Sequence, residues 1–368
     1  MERLDTSSLA GPAQAKRFAS LDILKAAGIA VVVIMHQVFW ALVDEQGFRL
    51  RFPETAGLLC GFYRSGLHFI GAAPGIIAGT TVYFMAARRT QPTGRFIKRI
   101  FILILLGYAT NYLTWGYRYW PNTFDWDFLQ FIGLGSLILF TAIRGLPRRW
   151  PLVVLALSGG ALALATSFPL PESTHSAYVY LIVFGDPGGH SYWPLCPLFA
   201  LLGSGALMGG ILDQGSTRGR TILGITGLAL VLASALDDKL LPACDAHALF
   251  GVAMFKPAAL FVVGVAGMVF MGTAALELLE ERTGWLSRWC QSKWILYLSR
   301  GILWIYLADL VVGADVSRFF MQTARTPKAA ALLVAALIPT SLVVAYGIGA
   351  LRVRTMARRD NRAHPGAG

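Results

Sequence analysis

Residues 20–43 read SLDILKAAGIAVVVIMHQVFWALV, an apolar run interrupted by three ionisable groups, Asp22, Lys25 and His36. A run of this length is typical of a helix that crosses a hydrocarbon core about 30 Å thick. In lipid it must be helical, because no water is present to satisfy the backbone N–H and C=O groups. It is too long for a signal-peptide core, and no small-residue cleavage site follows it, so we expect a retained membrane helix.

Similar apolar runs recur along the rest of the chain. The composition agrees, since 55% of the 368 residues are hydrophobic and 14% are charged, whereas soluble domains carry about 25% charged residues. The sequence therefore predicts an all-α polytopic membrane bundle of about ten transmembrane helices, forming one domain over residues 20–352. A cytoplasmic tail, residues 1–19, and a basic cytoplasmic tail, residues 353–368, would flank it. The predicted spans are 20–43, 67–87, 98–116, 126–144, 151–167, 192–212, 220–236, 255–277, 293–313 and 329–352.

The net charge of +12 is distributed unevenly between the two sides of such a bundle. With ten spans, the two tails and alternate connections, counted with the span ends beside them, hold 21 Lys and Arg residues, and the opposite connections with their span ends hold 9. Because cytoplasmic loops carry the excess of basic residues, both termini are expected to be cytoplasmic. The charge thus indicates membrane topology and not a nucleic-acid partner. We expect a bacterial inner membrane, with an organelle membrane as the alternative.

The four cysteines are not spaced as paired metal ligands, so no metal is expected. Cys60, Cys196 and Cys244 map near the predicted outer face, where an oxidising compartment would permit a disulfide. Free thiols are the expected state, and a disulfide is the alternative.

The ionisable residues of the first span fall on one helical face. Lys25 and His36 are eleven residues apart, which gives an angular offset of about 20° and a rise of about 16 Å. Asp22 lies one turn before Lys25, so these two can form a local ion pair. His36 would lie about 22 Å above a cytoplasmic entry near Leu21. Ionisable groups at such depth are costly and mark functional sites; the alternative is a histidine hydrogen-bonded to a neighbouring helix.

The other buried polar residues divide into two tiers once each helix is given a direction. The outer tier contains Asn111, Asp125, Asp127, Gln130 and Asp309, together with His36. Tyr306 lies one turn before Asp309 and is expected to share its face, with an interhelical hydrogen bond as the alternative. His190 belongs to a predicted outer connection, residues 168–191. The inner tier contains Asp22, Lys25, Arg300, Arg88, Arg89, Arg95, Lys98 and Arg99. Positive-inside topology alone also explains the basic connection, and Arg300 alternatively snorkels to the surface.

Several motifs resemble those of the multi-pass membrane acyltransferases, meaning the acyltransferase-3 family and the related heparan-alpha-glucosaminide N-acetyltransferase group. The opening Arg17-Phe18 to Lys25, followed by His36, has the spacing of the first-helix pattern, with Lys25 in place of the usual Arg. Looser matches are Ala73-Pro74-Gly75 to Arg99, Asp127 to Gly133, and Trp193 to Phe199. A Tyr-Leu-x-His stretch of the family is similar to Tyr306-Leu307-Ala308-Asp309, where the histidine is an aspartate.

The resemblance implies transfer of an acyl group, expected to be acetyl, from cytosolic acyl-CoA. The acceptor would be a hydroxyl or amine of a glycan, amino sugar or other molecule at the outer side. The catalytic candidates are His36, Asp22 and Asp309. The donor-binding candidates are Lys25, Arg88, Arg89, Arg95, Lys98, Arg99 and Arg300. The acceptor-binding candidates are Asn111, Asp127, Gln130, Tyr306 and His190.

Two other functions are compatible with the same residues. One is a proton-coupled transporter, in which His36 and Asp309 would carry protons along a buried path. The other is an inactive acyltransferase-like binding protein. Membrane lipid is a partner under all three hypotheses. Acyl-CoA binding from the cytoplasmic side distinguishes the enzyme from both other hypotheses, and substrate flux into liposomes without CoA would favour the transporter.

Overall fold

The computed structural model describes residues 18–44, 49–50, 52, 67–116, 120–167, 182–184, 193–235, 259–313, 315–316, 319–320, 324 and 326–363. Eleven helices of six residues or more organise these segments. They are α1 Ala19–Leu42, α2 Leu67–Ala87, α3 Thr93–Asn111, α4 Phe128–Gly145, α5 Trp150–Ser167, α6 Leu195–Gln214, α7 Thr217–Ala235, α8 Ala259–Thr283, α9 Trp285–Cys290, α10 Lys293–Ala308 and α11 Pro327–Ala363. Two-residue strands, Val43–Asp44 and Arg49–Leu50, pair antiparallel beyond α1.

The all-α membrane architecture is confirmed. Seven helices in the described ranges are long and apolar enough to cross a membrane, and residues Ala72–Ala87 and Trp150–Leu164 form shorter apolar helices. The seven spans are Ala19–Val38, Thr93–Thr114, Phe128–Gly145, Leu195–Gln214, Ala259–Thr283, Lys293–Gly313 and Pro327–Met356. The count of about ten transmembrane helices stays a prediction.

Side-chain contacts fix the relative directions of the helices. Phe18 at the start of α1 stacks on Phe84 near the end of α2, with ring centroids 5.4 Å apart. Phe96 in the first turn of α3 stacks on Phe140 near the end of α4, and Arg220 of α7 pairs with Glu281 of α8. The starts of α1, α3 and α7 thus meet the ends of α2, α4 and α8. We call this side the basic end and the opposite side the His36 end.

Two apolar clusters form the core of the bundle. The larger joins α2, α4, α6 and α8 around fully buried residues such as Ile76, Phe131 and Leu202. The smaller lies along α1 and α10 and includes Ile29, Val33 and Ile305. The polar groups described below lie at the two ends of these clusters.

Helices α2 and α6 approach so closely that only glycine fits at two contacts. A Cβ on Gly79 would lie 1.9 Å from the carbonyl oxygen of Leu202, and one on Gly205 would lie 1.9 Å from that of Ile76. The Thr80 hydroxyl donates to the Gly205 carbonyl at 2.9 Å. Small residues that permit close backbone approach and interhelical hydrogen bonds are characteristic of helix packing in membranes.

Helix α11 packs along α10. Trp294 contacts Tyr346 with centroids 4.3 Å apart, and the Arg352 guanidinium lies 5.7 Å from the Trp304 ring centroid. The near-constant offset between these partners means that the two helices run in the same direction over this stretch. If successive membrane helices alternated in direction, α11 would run opposite to α10. The observed packing therefore does not support the expected cytoplasmic position of the C-terminus. That position stays a prediction.

Candidate active site

His36 and Asp309 face each other at the His36 end of the bundle. The Nδ1 atom of His36 lies 2.7 Å from Oδ2 of Asp309. The histidine side chain is 21% exposed and that of Asp309 is 5% exposed. Asp309 begins a π-helical turn, Asp309–Gly313, that continues α10. Such wide turns are frequent at functional sites.

The hydrogen bond to Asp309 assigns different roles to the two imidazole nitrogens. A carboxylate only accepts, so in neutral His36 the proton resides on Nδ1 and is donated to Asp309. The Nε2 atom then carries the free lone pair. An imidazole held in this tautomer can remove a proton or attack a carbonyl carbon through Nε2.

Aromatic rings surround the His36 imidazole. Its ring centroid lies 5.1 Å from Trp40 and 6.2 Å from Tyr306. Phe128 packs on Tyr306 at 5.4 Å and on Trp193 at 4.9 Å. These rings extend the wall of the site from α1 and α10 to α4 and the start of α6.

Asp127 is another carboxylate of this end and lies close enough to His36 for their charges to interact. It caps α4, accepting from the Phe128 backbone N–H at 2.6 Å. Burial raises the pKa of Asp127 to about 6, although the bond to Phe128 and the nearby His36 oppose this. Tyr306 lies within electrostatic range of both Asp127 and Asp309. The structure therefore brings these outer-tier residues together.

Asn111 and Gln130 hold the backbone ahead of α4. The Asn111 side-chain amide donates to the Asp125 carbonyl at 2.6 Å, and the Gln130 amide donates to the same oxygen at 3.4 Å. The Gln130 Oε1 atom is buried and has no hydrogen-bond partner among the described groups. Both residues thus position Asp125 and Asp127, and an acceptor contact for either stays a prediction.

The remaining catalytic candidate, Asp22, lies elsewhere. It is buried near the basic end of α1, fourteen residues and about 21 Å before His36 along the helix. The neighbouring Ser20 hydroxyl bonds to Glu277 of α8, and Cys290 of α9 contacts the Ala19 carbonyl. The structure does not bring Asp22 to the imidazole, so a catalytic role for it stays a prediction.

The donor-binding candidates occupy different environments at the basic end. Arg88 pairs with Asp213 of α6 and lies over the Phe84 ring. The Arg99 guanidinium lies within hydrogen-bond distance of the Gln91 side-chain amide. Lys25 is half-buried, and the other four donor-binding candidates are exposed: Arg89, Arg95, Lys98 and Arg300.

Four residues at the His36 end were missed by the sequence reasoning. The Gln37 amide donates to Asp309 Oδ1 at 3.2 Å, and Trp40 contacts the imidazole. Thr114 donates to the Leu310 carbonyl at 3.4 Å from a second π-helical turn, Tyr112–Gly116. Gly313 lies against both Asp309 and Gln37. The one-turn spacing from His36 was the available signal for Trp40.

Three other expectations concern residues around the site. His190 lies outside the described residues, as do Cys60 and Cys244. Cys196 is a buried free thiol. Within the described ranges, no three His, Cys, Asp or Glu side chains cluster as metal ligands.

An open groove of about 590 Å³ follows α4 from Leu137 to Leu146. Its lining is apolar except for Thr141, and it lies towards the basic end, away from His36. It therefore forms no part of the candidate active site.

Comparison with known proteins identifies a family for the chain. A family model described as heparan-alpha-glucosaminide N-acetyltransferase, catalytic, matches residues 17–236, which is 220 of 368 residues. His36 and Asp127 lie within the match, whereas Tyr306 and Asp309 lie beyond it. A comparison with curated proteins finds no match. The chain is thus a multi-pass integral membrane protein that belongs to the heparan-alpha-glucosaminide N-acetyltransferase catalytic family, and membership implies acetyltransferase activity.

Proposed function

We propose that this protein transfers an acetyl group from cytosolic acetyl-CoA to an amine or hydroxyl of a glycan or amino sugar at the outer side of the membrane. The observation that carries the proposal is the His36–Asp309 hydrogen bond, which in neutral His36 keeps the proton on Nδ1 and the lone pair on Nε2. Family membership supplies the reaction class. The donor, the acceptor and the residue roles are our inference.

His36 acts as the general base in the proposed step. Its Nε2 takes a proton from the acceptor amine or hydroxyl as that group attacks the thioester carbonyl. The new C–N or C–O bond forms, the C–S bond breaks, and the CoA thiolate leaves and recovers a proton from His36. The imidazolium formed meanwhile is stabilised by the Asp309 carboxylate, 2.7 Å away. A covalent route through an acetylated Nε2 is the alternative.

The surroundings of His36 favour a polar acceptor that also has apolar faces. Asp127 and Tyr306 provide a carboxylate and a hydroxyl near the imidazole. Trp40, Phe128 and Trp193 provide ring surfaces on the same wall. Sugars present hydroxyls at their edges and C–H groups on their faces, so such a wall suits a terminal sugar.

The donor would approach from the basic end. Lys25 lies on the same face of α1 as His36, about 16 Å lower. A CoA molecule bound by its phosphates near the exposed cations Arg95 and Lys98 would have to extend its pantetheine arm along this face. The thioester would then meet the acceptor at His36.

The proposal is tested with detergent-purified protein, radiolabelled acetyl-CoA and glucosamine as the probe acceptor. Wild-type protein should release CoA and form labelled product, and His36→Ala should form none, since positioned acid–base catalysis contributes about 10²–10⁴-fold. Thr273→Val changes a buried residue of α8. It is the control and should retain turnover. Near-native transfer by His36→Ala would refute the assigned reaction centre.

Two further readouts separate the alternative mechanisms and functions. A covalent route predicts an acetylated His36 detectable by mass spectrometry when the acceptor is withheld, and the general-base route predicts none. A transporter predicts flux of glucosamine or protons into liposomes without acetyl-CoA, and the proposed enzyme predicts no such flux.

A further inference from the structure

Gln37 holds the second oxygen of the Asp309 carboxylate. Its Nε2 donates to Oδ1 at 3.2 Å, whereas Oδ2 faces Nδ1 of His36. The Gln37 side chain is fully buried, and Asp309 is 7% exposed. The carboxylate is therefore held at both oxygens by two consecutive residues of α1.

Gly313 lies against the same contact. A Cβ on Gly313 would lie 3.0 Å from Asp309 Oδ1 and 3.3 Å from Gln37 Nε2. A methyl group there would press on the hydrogen bond between these atoms. The π-helical turn that contains Asp309 thus places Gly313 next to the Asp309 carboxylate. There is no space for a side chain at position 313.

We propose that Gln37 is a positioning residue for acetyl transfer: it fixes the Asp309 carboxylate so that Oδ2 stays aimed at Nδ1 of His36. This inference rests on the proposed function of the His36–Asp309 pair. Gln37 has no role of its own in bond making or breaking, and it acts through Asp309.

The physical reason lies in the burial of the carboxylate. A buried carboxylate oxygen that loses its donor seeks another partner, because unpaired buried polar atoms are costly. Among the residues that the structure describes, the other side-chain donor to this carboxylate is His36 Nδ1, so the carboxylate would rotate and share one proton between two oxygens. The imidazole would then leave its reactive orientation for part of the time. We therefore expect the loss of the Gln37–Asp309 hydrogen bond to lower kcat and to leave the binding of acetyl-CoA at the basic end unchanged.

The test uses Gln37→Met, which keeps the length of the side chain and removes the amide. We expect kcat for acetylation of glucosamine to fall about 10-fold to 100-fold, the range given by losing one hydrogen bond to a charged group, with KM for acetyl-CoA unchanged. Gly313→Ala keeps Gln37 but presses on the same bond and should also lower kcat. Thr273→Val is the matched control, since it removes a buried hydrogen bond in α8.

A double-mutant cycle distinguishes positioning from a general structural role. If Gln37 acts through Asp309, Gln37→Met should have no further effect in an Asp309→Ala background, because the shared partner is already gone. Additive losses in the two backgrounds would overturn the inference, as would an unchanged kcat in both Gln37→Met and Gly313→Ala. Either of these two outcomes would overturn only the role of Gln37. The proposed function would still stand as long as His36→Ala is inactive. An active His36→Ala would instead refute the proposed function.

Discussion

The Nδ1 atom of His36 lies 2.7 Å from Oδ2 of Asp309, although 273 positions of sequence separate the two residues. This hydrogen bond joins α1 to the π-helical end of α10. In the proposed mechanism it keeps the proton of neutral His36 on Nδ1, so that Nε2 can act as the base, and it places the carboxylate beside the imidazolium that would form.

Asp309→Asn should lower kcat by about 10²–10⁴-fold while the protein still folds. An amide can present its NH₂ group to Nδ1, which would favour the tautomer with the proton on Nε2 and remove the base. The measurement is single-turnover transfer with radiolabelled acetyl-CoA, with gel filtration as the check on folding. An Asp309→Asn enzyme that turns over like wild type would show that His36 works without this partner.

Neutralising cations at the basic end should weaken donor binding and not catalysis. We expect Lys25→Met, Arg95→Met and Arg300→Met each to raise KM for acetyl-CoA, and more so at low ionic strength because salt screens exposed charges. Arg218→Met, another exposed cation of the same end, is the control and should leave KM unchanged. If all four variants have the wild-type KM for acetyl-CoA, the cations do not bind the donor, and positive-inside topology and snorkelling explain their positions.

Gly205→Ala should destabilise the bundle. An added methylene in a well-packed core usually lowers stability by about 1–3 kcal/mol, and we expect a larger loss here. The added methyl would meet the Ile76 carbonyl at 1.9 Å, and backbone cannot move aside as a side chain can. Gly94→Ala is the matched control, because nothing lies within 4 Å of its Cβ position. Thermal aggregation in detergent measures both. A Gly205→Ala protein as heat-resistant as Gly94→Ala would contradict the close approach of α2 and α6.

Cysteine accessibility in a cysteine-free background should determine the sidedness. Single cysteines replace Arg95 at the basic end, Trp120 at the His36 end and Arg354 in α11, all exposed positions. With an impermeant maleimide, intact cells should label position 120 alone, and permeabilised cells should label all three. Labelling of position 95 from outside would reverse the predicted orientation. Labelling of position 354 from outside would place the C-terminal end of α11 at the outer side.

The helices could be predicted from the sequence because lipid imposes a length and an apolar composition on every span. The predicted spans 20–43, 67–87 and 293–313 lie within a few residues of α1, α2 and α10 with its π-helical turn. The tier containing His36, Asp127 and Asp309 followed from helix direction alone. The contacts within that tier did not follow, since depth fixes a position along the helix axis and leaves open which helices are neighbours.

Gln37 illustrates what the sequence could not reveal. On an ideal helix it points about 100° away from His36, which argues against a common partner. Both residues nevertheless contact Asp309, because the carboxylate lies between their two directions. The π-helical turns at Tyr112–Gly116 and Asp309–Gly313 have no comparable signature in the apolar pattern. Asp22 shows the converse, since a shared helical face did not bring it to the imidazole.

The pairing of the first helix with the tenth also sets when the protein becomes competent during its synthesis. Translation delivers His36 to the membrane early, and the ribosome must add 273 more residues before Asp309 exists. Until then the nascent chain has the histidine without the carboxylate that orients it. Under the proposed mechanism, a truncated translation product that ends before α10 would be inserted in the bilayer without the oriented base, and we expect such incomplete chains not to consume the thioester.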